Sequence, residues 1–193
     1  MKGKYIKGKK ITYDGSQLRS LWAFDSHNVQ CDSIVAFRGP CSVEGENLVD
    51  VEDRKKGRFI SSEDMAHFII ELFDSDLDRA VILQRLFVCV IKEAMEEMKP
   101  EIIVSRRGDD LYIEIDEEEE EDRKLSVSVA TASPVSTLIH AGVNVTSSNT
   151  PVPTLGLQDL EIVVDDFILK VLQKFINEIK GMEQARCKVR GVI

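Results

Sequence analysis

His140 and Asn144 stand two pairs of residues apart in the β-type run Thr137-Leu138-Ile139-His140-Ala141-Gly142-Val143-Asn144-Val145. Side chains alternate across a strand, so His140, Gly142 and Asn144 share one face, and Ile139, Ala141, Val143 and Val145 the other. The preceding run divides into Leu125, Val127 and Val129 against Ser126, Ser128 and Ala130. The bulky faces suit packing against helices. The small, polar faces give hydrogen-bonding groups at Ser126, Ser128, His140 and Asn144, with room for a ligand above them. A plainly solvated sheet face has the same composition, and both readings stand at this stage.

Other residues carry chemistry less specifically. Arg38 ends the apolar run Ser33-Ile34-Val35-Ala36-Phe37 and precedes Gly39-Pro40, a place from which a guanidinium could grip a carboxylate or phosphate, or form a structural ion pair. His67 and Glu71 share one side of their segment whether it is helix or strand. That is at most half a metal site in a chain with three histidines, so no metal is expected. Arg106-Arg107-Gly108-Asp109-Asp110 reads as an ion-paired turn, and the acidic run Asp116 to Asp122 as a solvated hairpin tip.

The elements that must position these residues follow from periodicity. Leu83, Leu86, Phe87, Val90, Ile91, Ala94 and Met98 recur at three- and four-residue steps and predict a helix over 76–98. Val164 to Ile179 predicts a second. Both need a sheet to cover, and the runs at 102–105, 111–115, 125–131 and 137–145 supply one, read as an antiparallel meander with helices on one face. Upstream, 5–13 reads as a strand and Asp14 to Gln17 as a capping box opening a short helix through Leu18 and Trp22. A strand over 33–38 ends at Gly39-Pro40, and 65–72 is assigned to a strand rather than a helix. The fold class is therefore α+β, in a single domain over 1–193.

Composition removes several functions. The net charge of −9 disfavours nucleic acid as a partner, and the five lysines among the first ten residues read as a solvated strand edge. No apolar stretch is long enough for a membrane span, and the start lacks a signal-peptide core, so a cytoplasmic protein is expected. Four scattered cysteines without a CxxC pair fit free thiols. An uncovered sheet edge or face makes a homodimer plausible.

Four segments in order resemble the catalytic core of biotin and lipoate protein ligases. Gly108-Asp109-Asp110-Leu111-Tyr112-Ile113 resembles their P-N-D-[IL]-Y-[VL] segment, and Arg123-Lys124-Leu125-Ser126-Val127 their G-K-K-[IV]-[SA]-G strand. Thr137 to Val145 resembles hhhGIGINV, and Ala36 to Cys41 lies where lipoate ligases end a strand in GR-x-Q-N-P-W. As a whole the chain resembles a small archaeal family described only as a domain of unknown function, number 366. The ligase resemblance implies a small carboxylate or acyl-adenylate ligand, with Lys124 as the catalytic cation over the acyl carboxylate. Arg38, Asp110, Ser126, Ser128, His140 and Asn144 would surround it. The resemblance stops at the glycine-rich nucleotide loop, whose place is taken by Leu48 to Arg58, so no cofactor is named. Transferases that work without ATP use a cysteine beside a lysine, and Cys41 is the one cysteine at a strand-end turn. A catalytically degenerate relative, kept as a binding or assembly module, is the alternative.

Overall fold

The computed structural model describes residues 1–114, 122–148 and 150–192. Most of the expected acidic hairpin tip lies outside the described residues. The chain folds as a mixed α+β structure around a five-stranded sheet and a smaller three-stranded one. The large sheet is built from β1 (Lys2–Lys10), β2 (Ser33–Val43), β3 (Ile60–Leu72), β8 (Thr137–Asn144) and β7 (Ser126–Ala132), in that spatial order. Only the β1–β2 pair is parallel. The small sheet joins β4 (Val104–Arg107), β5 (Asp110–Ile113) and β6 (Arg123–Lys124). The expected meander is thus divided. β4 to β6 form their own sheet, while β7 and β8 join the upstream strands, where β3 is buried on both faces from Asp64 to Leu72 and takes β8 as its neighbour.

Two helices cover one face, as their periodicity requires. α3 (Leu77–Met98) starts where the Asp76 carboxylate accepts the Arg79 amide at 2.8 Å, and it ends before Pro100. α4 (Val164–Cys187) lies beside it. Between them and the sheet, Phe68, Phe87 and Phe175 meet edge to face, with ring centres 5.4 and 4.7 Å apart. Ala66 and Ile70 of β3 and Ile139, Ala141 and Val143 of β8 complete this core.

The other face is not bare. A second buried cluster joins Val35, Phe37, Met65 and Ile69 of the sheet to Tyr13, Trp22, Ala23 and Val29, which arrive on the crossover between β1 and β2. The crossover includes α1 (Trp22–His27), later than the capping box suggested. One box hydrogen bond is made, Asp14 N–H to Gln17 Oε1 at 3.2 Å, but Asp14 Oδ1 accepts the Ser16 amide at 2.9 Å in place of the Gln17 amide, and the two bonds close a turn.

Gly39-Pro40 does not stop β2 either. The strand runs on to Val43 through a register shift between Gly39 and Cys41, where a proline without an N–H is tolerated. Ile11 crosses so closely that a side chain at residue 39 would place Cβ 2.1 Å from the Ile11 carbonyl oxygen. This contact carries the crossover onto the sheet and brings Tyr13 over its centre.

Candidate functional site

Lys124 is fixed by its backbone. It pairs with Tyr112 of β5, its amide donates to the Pro153 carbonyl at 3.0 Å, and its carbonyl accepts from the Leu155 amide at 3.2 Å. Its Nζ lies 2.7 Å from Oδ2 of Asp110, the first residue of β5. The side chains are 26% and 25% exposed, so the pair is only partly screened by water. Burial pushes the Asp110 carboxyl above its ordinary range, and the Lys124 ammonium offsets this only in part.

Both residues line a cavity of about 760 Å³, together with His140, Asn144, Met65 and Val127 on the sheet. The segment 47–62, with α2 (Val51–Lys55), forms another wall and contributes Asp50, Asp53, Arg58 and Phe59. Val81, Gln84 and Arg85 of α3 and the segment around Thr150 to Thr154 close the remaining sides. The basic side chains among the described lining residues already hold carboxylates. Arg58 reaches Asp53 at 2.9 Å, Arg85 reaches Asp109 at 3.2 Å, and Lys124 holds Asp110.

His140 belongs to a buried network beneath this cavity. Its Nε2 is 3.1 Å from Nδ1 of His67, whose Nε2 is 3.1 Å from the Gly39 carbonyl oxygen. The Tyr13 ring stacks on His140 at 3.7 Å, and Phe37 on His67 at 5.0 Å. Burial holds both imidazoles neutral, pushing His67 down to about 4 and His140 well below its ordinary value. A carbonyl can only accept, so His67 must donate through Nε2 and accept at Nδ1. His140 then donates through Nε2, and its Nδ1 is an acceptor.

Several sequence-derived candidates lie elsewhere. The β7 faces are inverted relative to expectation. Val127 stands opposite Gly142 and Val129 opposite His140, while Ser126 and Ser128 stand opposite Val143 and Ala141 on the helix side. Ser126 Oγ accepts the Leu111 amide at 2.9 Å. Ser128 Oγ donates to the Asp109 carbonyl and accepts from Gln84 Nε2, and it lines the cavity only from this α3 side. Arg38 is not in the cavity. Its Nη2 lies 2.8 Å from Oδ2 of Asp64, the same oxygen that Lys10 reaches at 2.8 Å, and this is the structural ion pair.

Cys41 is buried and outside the cavity lining, and burial pushes its thiol up to about 12, far from the thiolate a nucleophile needs. His67 and Glu71 share a face of β3, but Glu71 accepts from the Leu21 amide and the Ser136 hydroxyl, each at 2.7 Å. Sequence reasoning missed Tyr13, Met65, Gln84 and Arg85. Tyr13 carried no signal. Counting back across the four-residue connection Ser133 to Ser136 gives the register that puts Val127 beside Gly142.

With this geometry in view, the similarities to known proteins are consistent. The family described as a domain of unknown function, DUF366, matches residues 1–190. An uncharacterised protein of Methanocaldococcus jannaschii is 38% identical over 182 residues, covering 91% of this chain and 78% of its own. A protein of unknown function from Pyrococcus horikoshi superposes over both whole chains with a TM-score of 0.90 at 37% identity. A biotin protein ligase from Aquifex aeolicus, solved with biotin and ATP, superposes with a TM-score of 0.62 at 17% identity, covering 95% of this chain and 71% of its own. The fold is thus that of the biotin and lipoate protein ligases. By the match along nearly its whole length, the chain belongs to the DUF366 family.

Proposed function

We propose that the cavity binds a small carboxylate or acyl-adenylate ligand through Lys124, on a scaffold of the ligase or acyltransferase type. The observation that carries this reading is the Lys124–Asp110 pair, a partly buried ammonium on a residue whose backbone is fixed by β5, Pro153 and Leu155, in the wall of a cavity large enough for a small molecule. Asn144, fixed by main-chain bonds to Leu125 and Leu157, and His140 add polar groups to the same space. Met65, Val127 and Val129 give it an apolar floor on which the uncharged part of a ligand can lie.

A nucleoside triphosphate suits this wall poorly. Phosphate-gripping loops approach with glycine amides and unpartnered cations. The corresponding segment carries Asp50 and Asp53 into the cavity instead, and its Arg58 is spoken for by Asp53.

A thermal-shift series with biotin, lipoate, octanoate, AMP and ATP tests the reading. A true ligand at about a hundred times its dissociation constant should raise the melting temperature by roughly 5–10 °C, and Lys124→Ala should remove the rise. Absence of any shift across the series, or a shift unchanged in Lys124→Ala, contradicts it.

A further inference from the structure

We infer that the ligand of this cavity carries an ammonium group next to its carboxylate, as an apolar α-amino acid or aminoacyl group does. The inference rests on Lys124 holding a ligand carboxylate and follows from what happens to Asp110 when it does. Lys124 Nζ and Asp110 Oδ2 are in direct contact at 2.7 Å, and both are three-quarters withdrawn from solvent. A ligand carboxylate that takes over Lys124 leaves Asp110 a partly buried carboxylate without its partner. Stripping one member from such a pair is strongly unfavourable unless the other charge is compensated.

Among the described lining residues, Arg85 is the other cation whose charge reaches Asp110, and it is not free to replace Lys124. Arg85 is engaged by Asp109 and Arg58 by Asp53, and the lining also contains Asp50. Asp110 must then either take up a proton, at a cost that weakens the binding of a simple acid, or meet a compensating charge that arrives with the ligand. Such a charge must arrive close to the ligand carboxylate, because the two protein groups they meet are in contact. One carbon separates the two charges of an α-amino acid, so its carboxylate and ammonium can meet Lys124 and Asp110 together in an alternating ring of four charges. A simple fatty carboxylate satisfies only Lys124. A ligand with its amine at the far end of a chain would place the ammonium among Met65, Val127 and Val129. Those side chains suit an apolar substituent instead.

The test compares matched pairs by calorimetry on the intact protein: L-leucine with 4-methylpentanoate, L-phenylalanine with 3-phenylpropanoate, and L-methionine with 4-(methylthio)butanoate. At least one amino acid is expected to bind roughly tenfold or more tightly than its deaminated partner. Asp110→Asn should bring that ratio to about one, with circular dichroism and melting temperature confirming that the variant folds. If the deaminated acids bind as well as the amino acids or better, the zwitterion inference is overturned while the carboxylate reading stands. If no member of any pair binds at millimolar concentration, the zwitterion inference falls, and the carboxylate reading is decided by the thermal-shift series with biotin, lipoate and octanoate.

Discussion

Nε2 of His140 lies 3.1 Å from Nδ1 of His67, and the pair is sealed between the rings of Tyr13 and Phe37. Two imidazoles this close cannot both be cationic. Their burial also means that neither becomes charged without disrupting the layer between the sheet and the β1–β2 crossover.

Stability should therefore fall as the medium is acidified through the range from 6.5 to about 4, the ordinary and folded values for His67. In that window the unfolded imidazole binds a proton that the folded one refuses, so lowering the pH favours unfolding. For His67 alone the loss amounts to about 3 kcal/mol across the window. Urea melts at pH 7, 6 and 5 measure it. The ring resonances of both histidines should also stay unshifted down to pH 5, and a titration near 6.5 would refute the neutral pair.

Arg38 should matter for stability and not for ligand. Asp64 is 6% exposed at its side chain and holds both Arg38 and Lys10. Asp64→Ala is expected to cost roughly 2 kcal/mol by leaving the guanidinium uncompensated, a figure reduced from fully buried pairs because Arg38 and Lys10 retain access to water. Arg38→Ala should lower the melting temperature and leave ligand affinity within about twofold. A large affinity loss would return Arg38 to the site.

The difference between the Arg38 expectation and its position shows what could be read from the chain. The long helices were legible because an apolar stripe at helical spacing over four or more turns has few alternatives, and α3, Leu77–Met98, falls within one residue of the expected 76–98. The β8 faces followed from alternation within one strand. The β7 faces did not, because register belongs to a pair of strands, and a one-residue slip exchanges every side chain between faces. Arg38 depended on Asp64, 26 residues away, and Tyr13 on the close passage of Ile11 over Gly39. Contacts of this kind are fixed by tertiary packing and leave no local pattern. The adjacency of Asp110 and Lys124 was suggested by the ligase resemblance alone.

Cys41 should be silent toward thiol reagents. With its thiol pushed up to about 12 by burial, it is expected to label only after unfolding, whereas Cys31 and Cys187, both exposed, label in the native protein. Native-state alkylation followed by peptide mass analysis distinguishes them. Cys41→Ala should leave ligand-induced stabilisation in place, and its loss would revive a nucleophilic role.

Gly39→Ala should be among the most damaging small substitutions in the chain. The added carbon meets backbone, the Ile11 carbonyl oxygen, and not a side chain that could swing aside. A loss of about 3 kcal/mol or more is expected. Gly181→Ala, within α4 where nothing lies nearby, should instead stabilise by up to about 1 kcal/mol. Denaturant melts of the two variants side by side check both signs.

The central claim is that a ligand carboxylate engages Lys124 in this cavity. Its most direct test is a crystal structure of the protein soaked with octanoate, lipoate and the amino acids of the matched pairs. The expected result is a ligand carboxylate within hydrogen-bonding distance of Lys124 Nζ, with the rest of the molecule over Met65, Val127 and Val129. Carboxylates bound only elsewhere, or a cavity left untouched with Lys124 still closed on Asp110 at saturating ligand, would contradict it.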